Sequence, residues 1–181
     1  MRYLALLRGV NVGGVALRMD ELRTMLLGLG LEKVETYIQS GNAIFESPTR
    51  KTSALEAEIG LAIERDKKLG IRVIVKTAAD IARITASHPF DTGENGKALY
   101  VTILAAEVDS TLLSELPGNK GGSERFAGAG DVVYGLYGDG YGRSKFTNNY
   151  FEKRLKVACT TRNWATMRKL ADILEGRGGS G

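Results

Sequence analysis

The first half of the sequence alternates short apolar runs with helix signals, and the order of these segments is the strongest constraint on the fold. An apolar run at 3–7 is followed by leucines at helical spacing, by strand-like runs at 34–39 and 43–45, by a second helical stretch, and by a strand at 71–75. The order β-α-β-β-α-β is typical of a ferredoxin-like arrangement, in which four antiparallel strands carry both helices on one face. We therefore predict an α+β protein with a ferredoxin-like N-terminal subdomain.

Local signals predict where several of these segments begin or turn. Ser53 and Glu56 form a capping-box pattern before the second helix, and Thr77 with Asp80 repeats that pattern before a third. The connection Ser40-Gly41-Asn42 predicts a tight hairpin, in which the glycine takes a positive φ.

The second half looks like a partial copy of the first. A strand-like run, a short helix and a hairpin across Gly128-Ala129-Gly130 precede two helices, from Lys145 to about residue 155 and from Arg162 to about residue 174. These segments predict a second, degenerate βαββαα subdomain.

A polar, glycine-bearing linker at 91–96 suggests the boundary between the two halves. The predicted organisation is a first subdomain at 1–95, a second with two C-terminal helices at 96–175, and a flexible glycine-rich tail at 176–181.

The scarcity of cysteine and histidine excludes several classes of protein. The chain has one cysteine, Cys159, and one histidine, His88. It therefore forms no internal disulfide, which predicts a reducing compartment, and it lacks the ligands of a structural zinc site. No Gly-x-Ser-x-Gly motif, signal peptide or membrane-spanning apolar stretch occurs. We expect a soluble cytoplasmic protein with no membrane contact, no metal and no cofactor.

Five segments together resemble one known family. They are Arg8 to Gly14, Thr36 to Asn42, His88 to Phe90, Gly142 to Lys145, and Thr160 to Thr166. In this order they are similar to motifs of the domain of unknown function 1697 family, over essentially the whole chain. The family usually carries Asn-Pro-Phe or a similar tripeptide where this chain has His88, which is a departure. The resemblance implies a two-subdomain α+β protein with a ferredoxin-like half, and it implies no particular activity.

The glycine-rich loop after the first strand is the sharpest candidate for a binding site. Glycine makes up 23 of the 181 residues, about 13%, whereas the usual share is about 7%. Three of these glycines, Gly9, Gly13 and Gly14, lie in this one loop. Three glycines let successive amides turn toward one point and form an anion-binding concavity, which Arg8 and Asn11 are placed to complete. The loop matches neither a Walker A motif nor Gly-x-Gly-x-x-Gly. The alternative is a strand-to-helix connection that needs positive φ.

The predicted hairpin tip offers a second set of polar groups. Gln39, Ser40 and Asn42 carry amide and hydroxyl groups that a ligand could contact. The alternative is an ordinary exposed polar tip.

The C-terminal third carries most of the positive charge. Between Arg143 and Lys169 there are eight basic residues and one acid, Glu152, so this window carries +7 against +4 for the whole chain. Aromatic residues are interleaved with the basic ones, a pattern that suits nucleic acid. The alternative is a solvated face opposite an apolar core stripe.

The start of the last predicted helix is a second candidate anion site. Thr161 or its neighbour Thr160 is placed to cap the helix, and Arg162 and Asn163 adjoin its first amides in sequence. We expect Lys145 to lie near them in the fold. The alternative is capping alone.

Two functions follow from these features, and they stay open at this point. The first is a binding module for an anionic ligand, which is a nucleotide, a phosphometabolite or a nucleic acid. The second is a metal-independent enzyme that holds a phosphorylated or carboxylated small molecule in the cleft between the subdomains, with Arg8, Asn11, Lys145 and Arg162. The sequence identifies no catalytic residue.

Overall fold

The computed structural model of the protein describes residues 1–48, 50–86, 88–90, 98–116 and 123–177. These residues form eight strands and six helices, which confirms the α+β class. In chain order they are β1 (Arg2–Leu7), α1 (Met19–Gly28), β2 (Glu32–Thr36), β3 (Asn42–Glu46), α2 (Thr52–Lys67), β4 (Val73–Thr77), α3 (Ala78–Ala86), β5 (Leu99–Leu104), α4 (Ser110–Ser114), β6 (Glu124–Ala129), β7 (Val132–Tyr137), α5 (Asn148–Leu155), β8 (Cys159–Asn163) and α6 (Trp164–Leu174). Within this described part of the chain, no helix has the length and apolar character needed to cross a membrane.

The chain divides into two compact units. The first contains residues 1–82 together with 170–181, and the second contains residues 83–169. The domain limits predicted from the sequence stay a prediction, because the linker at 91–96 and most of the tail lie outside the described residues.

The first unit is built on an antiparallel sheet with the strand order β2-β3-β1-β4. Helices and strands follow one another as β-α-β-β-α-β, in the predicted order. Apolar residues of α1 and α2 pack with alternate residues of the strands, so both helices contribute to one core. Its fully buried members include Tyr3, Phe45, Leu22, Leu55 and Ile63.

The second unit contains another antiparallel sheet, with the strand order β6-β7-β5-β8. Its core combines β-strand residues with α4 and α5, and it is rich in aromatic rings. Phe126 contacts Tyr137, Phe146 and Phe151 with its ring edge-to-face at 4.9 to 5.4 Å between centroids.

The prediction of a βαββαα second half was wrong, because it missed strand β8. Residues 159–163 pair with β5 in the register Leu104↔Cys159 to Tyr100↔Asn163. The two predicted helices also start later than expected, at Asn148 rather than Lys145 and at Trp164 rather than Arg162. Pairing with β5, which is distant in sequence, makes this segment a strand. Its threonines are also typical of helix N-caps, so the sequence pattern predicted a helix start instead.

The two units repeat the same backbone hydrogen bonds. The amide of Leu7 donates to the carbonyl of Gly41 at 2.8 Å, and in the second unit Leu104 donates to Asp131 at 2.9 Å. After β1, Arg8 donates to Arg72 at 2.9 Å, and after β5, Ala105 donates to Ala158 at 2.8 Å. These equivalent bonds, with the equivalent strand orders, show that the order βαββαβα occurs twice along the chain.

Of the two predicted capping boxes, one is confirmed and the other does not form. Thr77 and Asp80 form the predicted reciprocal cap: the Thr77 amide donates to the Asp80 carboxylate at 3.0 Å, and the Asp80 amide donates to Thr77 Oγ1 at 3.1 Å. The box at Ser53 and Glu56 does not form. Helix α2 begins at Thr52, and Glu56 instead accepts a hydrogen bond from the amide of Val75 at 2.9 Å. The hairpin of β6 and β7 turns at Gly130, two residues after Gly128.

Candidate functional site

The sign of the backbone φ angle alternates along the first part of the glycine-rich loop. Gly9, Asn11 and Gly13 have positive φ values of 72°, 57° and 58°, and the valines between them do not. Gly14 is also positive, at 88°. A Cβ at any of the three glycines would meet nothing within 4 Å, so the backbone conformation, and not close packing, requires glycine at these positions.

Asn11 is the organising residue of this loop. Its Oδ1 accepts a hydrogen bond from the Leu17 amide at 2.9 Å, and its Nδ2 donates to the Leu17 carbonyl at 2.9 Å. The same Nδ2 donates to the carbonyl of Gln39 at 2.6 Å. One side chain therefore closes the loop and joins it to the hairpin between β2 and β3, so the structure brings together two of the predicted motifs.

The outer part of the loop surrounds an open cavity of about 310 Å³, lined by residues 11–16. Val12, Gly13 and Gly14 are exposed to solvent. Among the described residues, the amides of Gly9, Gly13 and Gly14 have no hydrogen-bond acceptor. Arg8 begins the loop as a half-buried residue, and its amide donates to Arg72.

The hairpin tip is more buried than the sequence suggested. Gly41 has the predicted positive φ, 76°, and a Cβ there would lie 2.4 Å from Val10 Cγ2. Asn42 is fully buried, and its Nδ2 donates to the Tyr37 carbonyl at 3.0 Å and to Ser40 Oγ at 2.9 Å. Gln39 is exposed. Of the three polar side chains predicted at this tip, Asn42 therefore serves the fold.

The second predicted anion site takes a different form from the one expected. Thr161 and Arg162 lie within strand β8, and the cap of α6 is Asn163, whose Oδ1 accepts from the Thr166 amide at 2.7 Å. Thr160 and Thr161 are therefore not the capping residues. Lys145 is exposed in the loop before α5, with its Nζ 5.4 Å from the centre of the Phe146 ring.

The side chains of Thr161 and Arg162 serve the interior of the second unit. Thr161 Oγ1 donates to Asn148 Oδ1 at 2.7 Å and lies 2.8 Å from Thr102 Oγ1. Arg162 is 8% exposed, and its Nη1 donates to Thr160 Oγ1 and to the Thr161 carbonyl. Burial lowers the pKa of the Arg162 guanidinium to about 10, so the side chain stays charged at neutral pH.

Most of the basic residues in the C-terminal window lie at the surface. Seven of the eight are exposed, and Arg162 is the buried one. Arg154 is paired with Glu115 at 2.6 Å. The exposed seven are Arg143, Lys145, Lys153, Arg154, Lys156, Arg168 and Lys169. Phe151 is 1% exposed and belongs to the core, so it is unavailable for stacking on a base. Cys159 is a free cysteine and is fully buried.

The predicted site residues are divided between the two units. Those of the glycine loop and the hairpin tip belong to the first unit, and Lys145, Thr161, Arg162 and Asn163 belong to the second. An enzyme that uses residues of both halves stays a prediction. Among the described residues, no group of histidine, cysteine and acidic side chains is placed to hold a metal ion.

Sequence reasoning missed a cavity in the second unit, lined by Arg83, His88 and Tyr134. The motif at 88–90 was the only signal for it, because the other lining residues come from α3 and from the hairpin of β6 and β7. Sequence reasoning also missed the role of Glu56 at the edge of the sheet.

The fold defines a class: an α+β protein with two antiparallel four-stranded sheets and a glycine-rich loop after its first strand. A family model described as "Protein of unknown function (DUF1697)" matches residues 1–134. The match covers more than half of the chain, and the chain belongs to this family, as the resemblance indicated. The segments at 142–145 and 160–166 lie beyond the matched range.

A solved structure supports the same fold along the chain. A conserved bacterial protein from Streptococcus pneumoniae is similar in structure with a TM-score of 0.74 and 24% sequence identity. The similarity covers 96% of this chain and 98% of that one. The comparison with curated proteins gave no significant match.

Proposed function

We propose that this protein is a binding module for an anionic ligand, and that the loop at 9–14 holds a phosphate or a similar oxyanion of that ligand. The observation that carries the proposal is the set of amides of Gly9, Gly13 and Gly14, which lack acceptors among the described residues. Backbone of alternating handedness aims successive amides toward one side, and such a concavity binds anions.

The rigidity of the loop supports the proposal. Three hydrogen bonds of the Asn11 side chain hold residues 11–17 and the neighbouring hairpin in place. The Asn11 amide also donates to Val15, and Val15 donates back to Val12 at 3.2 Å. A site that is already ordered loses less conformational entropy when its ligand binds.

Charge supports the proposal as well. Residues 8–18 contain two arginines and no acidic residue. Arg18 is paired with Asp20 at 2.7 Å, and Arg8 is the cation at the start of the loop. A cation beside several free amides favours an oxyanion over a neutral ligand.

The test is a titration with pyrophosphate, followed by amide NMR at constant ionic strength. We expect saturable downfield shifts of the Gly13 and Gly14 amides in the native protein. Gly14→Ala places a side chain at a φ of 88°, so it distorts the loop and should weaken binding by about tenfold, a loss of about 1.4 kcal/mol.

The matched control is Gly28→Ala, at an exposed helical glycine where a Cβ meets nothing within 4 Å and φ is not positive. This variant should bind pyrophosphate like the native protein. Absence of a saturable shift at Gly13 and Gly14, or equal binding by Gly14→Ala, would contradict the proposal.

The dependence of binding on salt concentration distinguishes a nucleic acid from a small anionic ligand. A single-stranded oligonucleotide that uses the exposed basic residues should bind with an affinity that falls steeply and linearly on a logarithmic salt scale. Charge reversal at Lys153 and Lys156 should reduce that slope. If the oligonucleotide does not bind and pyrophosphate does, the ligand is a nucleotide or a phosphorylated metabolite. The cytoplasmic location stays part of the proposal, since it rests on cysteine content.

A further inference from the structure

The two sheets have four edge strands, which are β2, β4, β6 and β8. Two of these strands have an outward amide that a side chain already occupies. On β4, the Val75 amide donates to the Glu56 carboxylate at 2.9 Å. On β8, the Cys159 amide donates to the Glu152 carboxylate at 3.1 Å. An edge protected in this way resists pairing with a strand of another chain.

Strand β2 is protected by distortion instead. Its register with β3 shifts between Glu32 and Glu35. Lys33, which lies between them, has a φ of 46°, and Arg23 donates from Nε to the Val34 carbonyl at 3.0 Å. An irregular strand with an occupied carbonyl is a poor template for a straight partner.

Strand β6 has neither kind of protection within the part of the chain that the structure describes. Its register with β7 is continuous over all six residues. The Gly138 amide donates to the Ser123 carbonyl at 3.1 Å, so the odd-numbered residues of β6 are the ones bonded to β7. The even-numbered residues direct their amides and carbonyls away from β7. They are Glu124, Phe126 and Gly128.

A cavity of about 500 Å³ adjoins this edge. Residues 127–129 line it, together with His88, Pro89 and Tyr134. Phe126 belongs to the core on the opposite face of the strand, so the two alanines of this range point toward the cavity. Their short side chains leave room that the side chain of an added strand can fill.

A closed ion pair and packed rings form the walls of the cavity. Arg83 lines it as well, and its guanidinium is paired with Asp131 at 2.8 Å. The His88 imidazole meets the Trp164 ring edge-to-face at 4.8 Å between centroids, and Tyr134 meets the same indole at 6.4 Å. A cavity with these walls suits an uncharged, apolar side chain.

We propose that β6 is the docking edge for an extended, uncharged segment of another protein, which adds to the second sheet as a strand and places an apolar side chain in the cavity. The outward amides of Phe126 and Gly128, which meet no hydrogen-bond acceptor among the described residues, bind its backbone. A second copy of this chain does not fit. An antiparallel pair of β6 strands would bring Arg125, Ala127 and Ala129 of that copy to the cavity side, which are one charge and two methyl groups.

Hydrogen exchange in the free protein tests the edge itself. The amides of Phe126 and Gly128 should exchange at least about tenfold faster than those of Arg125 and Ala127, which donate to β7. Equal protection of all four amides would show that the edge is already covered, and it would overturn the proposal.

The binding test uses the peptide acetyl-Lys-Thr-Val-Thr-Val-Thr-amide, titrated into the protein and followed by amide NMR. Strand addition should give saturable downfield shifts at Phe126 and Gly128 and should slow the exchange of both amides. Absence of a saturable shift at these two amides would contradict the proposal.

Two N-methylated forms of the peptide separate strand addition from apolar contact alone. One form carries the methyl groups on the two valines, and the other carries them on the two threonines that follow the valines. Only alternate amides of an added strand face the edge, so one form should bind at least about tenfold more weakly than the other. Equal binding of the two forms would exclude strand addition.

A substitution in the cavity tests the place of the apolar side chain. Ala129 is exposed, so Ala129→Leu fills the cavity without crowding the core, and it should weaken peptide binding by about tenfold. Ala165→Leu, at an exposed alanine outside the lining of the cavity, is the control and should bind the peptide like the native protein. Unchanged binding by Ala129→Leu would contradict the role of the cavity.

Sedimentation equilibrium tests the alternative occupant. The free protein should be a monomer, and a dimer that Ala129→Leu dissociates would assign the edge to a second copy and overturn the proposal. The surface belongs to the second unit alone. None of these results bears on the loop at 9–14, whose pyrophosphate titration is read at Gly13 and Gly14.

Discussion

At the residue scale, two positions in the turn of one hairpin have a positive φ, and a glycine occupies one of them while a β-branched residue occupies the other. Gly41 has a φ of 76° and Ile38 has a φ of 50°. Glycine adopts this region without cost, whereas a β-branched residue is strained there. Ile38 is 48% exposed, so little burial offsets its strain. Of these two positions in the turn of the hairpin, one therefore suits its residue and the other strains it.

Substitutions at these two positions should have opposite signs. Gly41→Ala should destabilise the protein by about 2–4 kcal/mol, because the new Cβ meets Val10 at 2.4 Å in a backbone region that alanine disfavours. Ile38→Asn should stabilise it by up to about 1 kcal/mol, since asparagine tolerates the left-handed region. Urea denaturation measures both. Gly28→Ala is the control for glycine removal, and a loss of stability in Ile38→Asn would contradict the strain at Ile38.

From the sequence, a positive φ was predictable only at glycine positions. Gly41 and the loop glycines carried that signal in the sequence, and the predicted hairpin follows from it. Asn11 and Ile38 did not, because neither is a glycine, and the conformation of Asn11 depends on a contact distant in sequence. The carbonyl of Gln39, 28 positions away, is one of the groups that fix Asn11.

At the element scale, each unit uses a glutamate from a helix to protect an edge strand. Glu56 of α2 accepts from the Val75 amide of β4 at 2.9 Å, and Glu152 of α5 accepts from the Cys159 amide of β8 at 3.1 Å. Both strands are at the edge of their sheets. An edge amide that is already bonded offers no donor to a strand of another chain.

Removal of the acceptor should therefore cost stability. Glu56→Ala should destabilise the protein by about 1–3 kcal/mol, because Val75 is buried and its amide loses its partner. Glu64→Ala is the control, at an exposed glutamate of the same helix, and should change stability by less than about 0.5 kcal/mol. Urea denaturation distinguishes the two variants, and equal stabilities would show that the Glu56 bond contributes nothing.

Glu56→Gln separates the hydrogen bond from the charge. Burial raises the pKa of the Glu56 carboxyl above its ordinary value of 4.5. The protonated form is thus favoured by folding, and this contribution is present below pH 4.5 and lost as pH rises through the raised pKa. The stability of the native protein relative to Glu56→Gln should accordingly fall as pH rises above 4.5 and then level off. A rise over that interval would contradict the desolvation of Glu56.

The order of elements was predictable from apolar periodicity, except at β8. The run from Cys159 to Asn163 has β-branched threonines typical of a strand, but it also contains the polar residues typical of a helix start. Pairing with β5 decides between the two, and that pairing depends on residues about 60 positions away. The cavity at Arg83, His88 and Tyr134 was not predictable for the same reason, since tertiary packing brings its walls together.

At the scale of the whole molecule, the first strand and the last helix depend on one residue. Arg2 donates from Nη1 to the carbonyls of Ile173 and Leu174, at 2.8 and 2.9 Å, and so caps the end of α6 within the first unit. Its guanidinium also lies 3.8 Å from Glu35 and 3.9 Å from Glu46. A cation at a helix C-terminus is favoured by both hydrogen bonding and the helix dipole.

Arg2→Met should preserve most of the packing and lose this cap. We expect destabilisation by about 2 kcal/mol, because two carbonyls lose a charged donor. Arg177→Met is the control, at a residue whose side chain is 74% exposed and paired with Glu175. Thermal denaturation followed by circular dichroism measures both variants. Equal melting temperatures would mean that the end of α6 is held by its apolar side chains alone.

The discontinuity of the first unit has a consequence for synthesis on the ribosome. Residues 83–169 form a contiguous stretch, whereas the first unit also contains residues from 170 onward, where Arg2 caps the end of α6. During synthesis, β1 therefore emerges before the end of α6 that Arg2 caps, and the whole second unit is translated between them. The second unit can therefore fold before residues 170–174 are available to the first unit.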